Sequence, residues 1–158
     1  MKKLSNYKLP AYSATIKTEV VCPNDTNPMG LLQGGRLVEW MDIAAAVCAQ
    51  THADKICVTA SINQVDFNAA ANVGDIIAIN AVITRAFTTS MEIFVQAFAR
   101  KVLARKKYLI SEAYFTFVAL DENGKATPVI AVKPVTALQK KQYTAVVSRK
   151  NNRISKKI

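Results

Sequence analysis

The sequence predicts an α+β domain in which one curved antiparallel sheet wraps a single long helix. Three features point there: one nearly all-apolar helical stretch, four strand-like runs after it joined by short turns, and one strand-like run before it. A helix that is apolar almost all round belongs inside protein, and short connections make neighbouring strands antiparallel.

The first run is residues 13–21, a loosely alternating segment that reads as a strand. Pro23, Asn24, Asp25, Asn27, Pro28 and Gly30 follow, a density of turn-forming residues that marks a loop. Gly34-Gly35 then opens the segment from Arg36 to Ala49, whose length and alanine content predict a helix. From 34 to 51 such a helix is about 27 Å long at 1.5 Å per residue. Thr51 to Lys55 is a polar break. The later runs are Ile56 to Phe67, Asp75 to Ala86, Ser90 to Val102 and Tyr108 to Leu120, and in the third Phe94 and Phe98 interrupt the polar face. A single sheet covers only part of a helix's circumference, so a second copy is expected, joined edge to edge across a twofold axis.

Composition narrows the function. With 158 residues, 51% of them hydrophobic, the chain can bury one core without disulfides or metal. Three cysteines, Cys22, Cys48 and Cys57, show neither CxxC nor Cys/His spacing, which fits free thiols in a reducing cytoplasm. No apolar run reaches the length of a signal peptide or a membrane span, so a cytoplasmic protein without membrane insertion is expected. The net charge of +10 is uneven: residues 1–122 hold 12 basic and 11 acidic side chains, whereas residues 123–158 hold nine basic and no acidic ones. The expected organisation is therefore a domain over 1–132 and a basic tail over 133–158, part helical or disordered. A nucleic-acid-binding module would interleave aromatics with such charges, and beyond position 122 the only aromatic is Tyr143, so no nucleic-acid partner is expected.

Asp42 breaks the pattern. It lies mid-helix among Trp40, Met41, Ile43, Ala44 and Ala45, with no lysine or arginine three or four residues away to offset its charge. Either the helix exposes that edge, to solvent or to another subunit, or the carboxylate has a chemical use. Asn27 before Pro28 reads as a turn former. Gly34-Gly35 at the helix mouth leaves backbone N–H groups open to an oxyanion or phosphate, and also suits close packing. Asp42 lies about 10 Å further along the axis than Gly35, too far for both to touch one carbonyl, so a site using both is shared between two subunits. His52 reads as a cap on the helix C-terminus.

The ordered segments from Asp25 through Asn27, Gly34-Gly35 and Asp42 to Ala45, then Val58-Thr59-Ala60-Ser61, Val65-Asp66-Phe67, Val73-Gly74-Asp75, Arg85 to Glu92 and Phe115 to Lys125, resemble the hotdog-fold acyl-CoA thioesterases of the cytosolic acyl-CoA hydrolase group. The resemblance spans residues 14–130. It implies hydrolysis of an acyl-CoA to a free fatty acid and CoA, with no metal and no cofactor apart from the CoA of the substrate itself. It places Asn27 and Asp42 across a dimer interface: Asp42 as general base, or alternatively as nucleophile, Asn27 orienting water or thioester, and the Gly35 N–H as oxyanion donor with Gly34 giving room. Thr59 and Ala60 would meet the pantetheine, Arg85, Thr88, Thr89 and Ser90 would line the CoA path, and Arg149 and Lys150 would meet its phosphates. The family's habit is a homo-oligomer, a dimer at least and a hexamer as a trimer of dimers. The segment departs from the family at Leu31-Leu32-Gln33 and at Asn68 to Ala71. A non-catalytic acyl-CoA-binding protein of the same fold is the alternative from another class, and the basic nucleic-acid-binding module is the second.

Overall fold

The computed structural model of the chain describes residues 6–155, with side chains described through Arg149. In order, the elements are β1 (Tyr7–Lys8), α1 (Pro10–Ser13), β2 (Thr15–Val20), a 3-10 turn (Pro23–Asp25), α2 (Gly34–Ala53), β3 (Ile56–Phe67), β4 (Ile76–Ala86), β5 (Ser90–Arg100), β6 (Tyr108–Leu120), β7 (Ala131–Val132) and α3 (Ala137–Ser155). The expected helix and the expected strands are all present. Differences at their ends are small: β5 stops at Arg100 rather than Val102, and α2 runs on to Ala53.

The five long strands form one antiparallel sheet in the order β2-β4-β5-β6-β3. Laid flat, it would be roughly 19 Å across at about 4.8 Å per strand, wider than a helix with its side chains. Helix α2 nevertheless touches all five strands, so the sheet curls around it. The driving force is apolar burial: Leu37, Trp40, Met41, Ala44, Ala45, Cys48 and Ala49 of α2 join Ile77, Ile79, Ala81, Ile93, Val95, Ala97, Ala113, Phe115 and Phe117 in one core. Alanines on both sides let backbones approach closely, and the fully buried Met41, Phe115 and Phe117 fill the volume between them.

The other face of the sheet explains Phe94 and Phe98. Phe94 stacks on Tyr114 with ring centroids 4.8 Å apart, and Lys107 Nζ sits 4.6 Å from the centre of the Phe98 ring. Helix α3 packs against this region, with Val146 buried. Its start carries a capping box: Thr136 Oγ1 accepts from Gln139 N, and Gln139 Oε1 accepts from Val135 N and Thr136 N.

The C-terminal end of α2 is held by charge and by a histidine. Lys8 Nζ donates to the His52 and Thr51 carbonyls and pairs with Asp54 at 2.5 Å, where a cation opposes the helix dipole. His52, expected as a cap, is instead fully buried, and its Nε2 must donate to the Ile130 carbonyl at 3.0 Å because a carbonyl only accepts. Its Nδ1 has no partner among the described residues. Burial holds the imidazole below its usual 6.5, so the native state keeps it neutral where the unfolded chain protonates it. Fewer protons bound in the native state means that stability rises with pH across this window and is lost as pH falls from about 6.5 toward the folded value. The thermal midpoint is therefore expected to fall between pH 7 and pH 5. His52→Gln should flatten that slope, and scanning calorimetry across the range reads both.

Candidate active site

Asp42 sits on the edge of α2 that faces β3, half-buried. Its Oδ1 accepts from the Thr59 hydroxyl at 2.8 Å, and among the described residues no cation pairs with it. Thr59, expected beside the pantetheine, uses its side-chain hydroxyl to orient the carboxylate. No sequence signal linked the two, because they are 17 residues apart and meet only when β3 folds onto α2. Ala60 lies at a register shift between Thr59 and Ser61 and is exposed, so the strand bulges immediately beside the pair.

The N-terminus of α2 is open as expected, although the two glycines differ. Gln33 occupies the N-cap, but its side-chain Nε2 donates to the Thr26 carbonyl at 3.0 Å and its side chain makes no capping bond, so the first-turn N–H groups have no side-chain cap. A Cβ at Gly35 would meet nothing within 4 Å, so the backbone is uncrowded on that side. A Cβ at Gly34 would lie 3.2 Å from the Phe67 ring, so Gly34 makes room for that ring and not for a ligand.

The loop before α2 is tied down by Asp25, which the sequence reading took as one turn residue among several. Its buried carboxylate accepts from Cys22 N at 2.9 Å and from Arg36 Nε at 2.8 Å, and its carbonyl accepts from Gln33 N. The hydrogen bond from the Arg36 guanidinium, with that from Cys22 N, holds the acid below the usual carboxylate range. Asn27 is the turn former that its place before Pro28 predicts. Its Oδ1 accepts from Met29 N at 3.0 Å and Leu31 N at 3.2 Å, closing the turn, while its side-chain NH2 has no partner among the described residues and remains a donor. A groove of about 350 Å³ between β2 and α2, lined in part by Lys17, Glu19, Asp25, Arg36, Trp40 and Ile43, includes none of Asn27, Gly35 and Asp42.

Two of the residues expected along the CoA path are committed elsewhere. Arg149 points inward: its Nη2 lies 2.6 Å and its Nε 3.2 Å from the two oxygens of buried Glu92, with its guanidinium 3.9 Å from the centre of the Tyr114 ring. Thr84 donates to the same carboxylate at 2.7 Å. A phosphate would have to displace this set, so Arg149 is a structural cation and not a free one. Arg85 donates to the Tyr143 carbonyl at 3.0 Å and stacks on the Tyr143 ring, tying β4 to α3. Thr88 and Thr89 form the β4–β5 turn, their carbonyls accepting from Val129 N and Ala119 N, and Ser90 starts β5. The Lys150 side chain lies outside the described residues.

The sequence profile of the thioesterase superfamily matches residues 29–103. An uncharacterized acyl-CoA thioester hydrolase of Bacillus subtilis is 35% identical over 92% of this chain and 84% of its own length. Human cytosolic acyl coenzyme A thioester hydrolase is 32% identical over 84% of this chain, which spans only 36% of that longer protein. Among solved structures, an apo hexameric acyl-CoA thioesterase superposes with a TM-score of 0.92 at 38% identity, covering 95% of this chain and 96% of that one. An acyl-CoA hydrolase from Staphylococcus aureus, solved with butyryl coenzyme A, coenzyme A and coenzyme A disulfide, gives 0.87 at 37% identity, covering 96% and 94%.

The Glu92–Arg149 pair gives a direct test of how α3 is held on the sheet. Its side chains are 9% and 19% exposed, and removing one partner of a buried pair strands the other. Arg149→Met is expected to cost about 3 kcal/mol and to lower the thermal midpoint by roughly 6–12 °C in a chain of this size. An unchanged midpoint would mean that α3 rests on the sheet without being held by this contact.

Proposed function

Because the chain belongs to the thioesterase superfamily and is an acyl-CoA thioester hydrolase of the hotdog fold, we propose that Asp42, Asn27 and the Gly35 N–H carry out the hydrolysis as one site shared by two subunits. The observation that carries this reading is the Asp42–Thr59 contact: a half-buried carboxylate on the helix edge, oriented by a hydroxyl and offset by no cation among the described residues.

With Oδ1 held by Thr59, Oδ2 is left to take a proton from water as general base. The water oxygen bonds to the thioester carbonyl carbon, and the carbonyl electrons move onto oxygen. That oxyanion meets the uncapped first turn of α2 at Gly35, where backbone N–H groups and the helix dipole favour negative charge. Asn27 orients water or thioester through its NH2, which has no partner among the described residues. Collapse breaks the C–S bond, and the CoA thiolate leaves with the proton that Asp42 received. Protein groups and water suffice for this sequence, with no metal and no cofactor beyond the CoA of the substrate.

The shared site follows from length. Gly35 and Asp42 of one chain are about 10 Å apart along the helix axis, so one carbonyl meets both only if they come from different chains. The β3 edge beside Asp42 suits the pairing, since Ile56, Val58, Ile62 and Phe67 are all exposed there. Edge-to-edge pairing through β3 would cover them, and a hexamer built as a trimer of such dimers accords with the hexameric relatives. The Staphylococcus aureus hydrolase has also been solved with an aspartate, a threonine or an asparagine replaced by alanine, the residue types that this reading brings together. Its coenzyme A complexes support an acyl-CoA substrate here, and the cytosolic human relative supports a cytoplasmic setting. No helix among the described residues is long and apolar enough to cross a membrane.

Release of free CoA thiol from short, medium and long acyl-CoAs is the test. Asp42→Ala and Asn27→Ala are expected to lose about 100-fold or more in kcat with folded structure retained. Thr59→Val, which removes only the positioning hydroxyl, should lose about tenfold in kcat with KM little changed. Turnover within a few-fold of wild type in Asp42→Ala would remove the general base from the account. No thiol release by the wild type would favour a protein that binds acyl-CoA without turning it over.

A further inference from the structure

The connection between β5 and β6 is an exposed basic hairpin. Arg100 to Lys107 reads Arg-Lys-Val-Leu-Ala-Arg-Lys-Lys, with five basic residues and no acid, and no acid occurs anywhere from residue 93 to 111. All of 101–107 is exposed. Ala104 N donates to the Lys101 carbonyl at 3.1 Å, which places Val102 and Leu103 at the two central positions of the turn. Turns favour Gly, Asn, Asp or Pro there, yet this one presents two aliphatic side chains, 64% and 99% exposed. Leu103 is almost wholly uncovered and Val102 mostly so, and packing within the chain gives little reason for either.

The base of the hairpin is fixed. Tyr108 donates to the Ala70 carbonyl at 3.1 Å, and Lys107 lies over the Phe98 ring. Asp75, the one acid within ion-pair range among the described residues, is 3.9 Å from Lys101 and buried behind it. Arg105 and Lys106 have no acidic partner among the described residues. The result is a hairpin anchored at its base, with an apolar apex and a basic collar.

We infer that this hairpin tip docks the protein on anionic phospholipid surfaces, Val102 and Leu103 entering the boundary between headgroups and acyl chains while Lys101, Arg105 and Lys106 meet phosphates. The depth suits it, since a peripheral element sinks only about 5–10 Å below the headgroups. Each basic residue near such a surface strengthens binding roughly fivefold, and the buried aliphatics add a term that salt does not screen. A nucleic acid would answer the charge but has no use for two aliphatics where stacking aromatics are wanted. A protein partner needs roughly 800 Å² on each side, more than one turn presents. The contact is peripheral and involves no spanning segment.

Flotation with vesicles tests this without reference to turnover, so it stands or falls separately from the catalytic reading. Wild-type protein should float with phosphatidylcholine–phosphatidylglycerol vesicles, not with phosphatidylcholine alone, and less at about 0.5 M than at about 0.05 M salt. Val102→Ser/Leu103→Ser, which keeps every charge, should bind about tenfold or more weakly with an unchanged thermal midpoint. Lys140→Glu/Lys141→Glu, exposed on α3, should retain most of the binding despite altering more charge. The inference is overturned if the serine variant floats like wild type, if the α3 variant alone abolishes binding, or if wild type does not float with the anionic vesicles.

Discussion

The wrapping of α2 by the sheet is the constraint on which the rest of the structure depends. A helix without a wide polar face must be enclosed, and five strands of alternating residues enclose most of it. One sector stays uncovered because the sheet ends at β3. Asp42 lies at that margin, and so do Thr59 and the apolar edge of β3. A carboxylate deeper in the helix interface would lose its charge or destabilise the fold, and one further out would be fully solvated. The margin is the place on α2 where an ionised acid can be both oriented and reachable.

The same geometry separates the helix's two chemical resources. The N-terminal turn supplies N–H groups and a favourable dipole, and the middle supplies the carboxylate about 10 Å away. Asp25 keeps the first of these in place by joining the loop to Arg36 and Gln33, and Thr59 fixes the second. Both contacts act on backbone or side-chain orientation rather than on substrate. The two ends of α2 are treated differently: the N-terminus is left uncapped, whereas Lys8 and Asp54 close the C-terminus.

Much of this was legible in the sequence because it rests on local pattern. The span of α2 and the ranges of β3 and β6 follow from periodicity and turn residues, and Asp42 stood out as a charge without a local partner. What depended on distant pairing was not legible. Thr59 meets Asp42 only after β3 crosses to the far edge of the sheet, and Arg149 meets Glu92 across 57 residues. The composition of the basic tail hides which of its cations turn inward, as Arg149 does. One signal was present and unread: Thr136 and Gln139 carry the capping box that starts α3.

The central claim is that each active centre takes Asp42 from one subunit and Asn27 with Gly35 from another. Mixing Asn27→Ala and Asp42→Ala proteins under conditions that let subunits exchange, then measuring thiol release from acyl-CoA, tests it most directly. Half of randomly reassorted dimers hold one centre with all native groups and one with neither, so activity should return to about a quarter of wild type. A mixture no more active than its separate components, with subunit exchange demonstrated, would contradict the shared site and return both residues to a single chain.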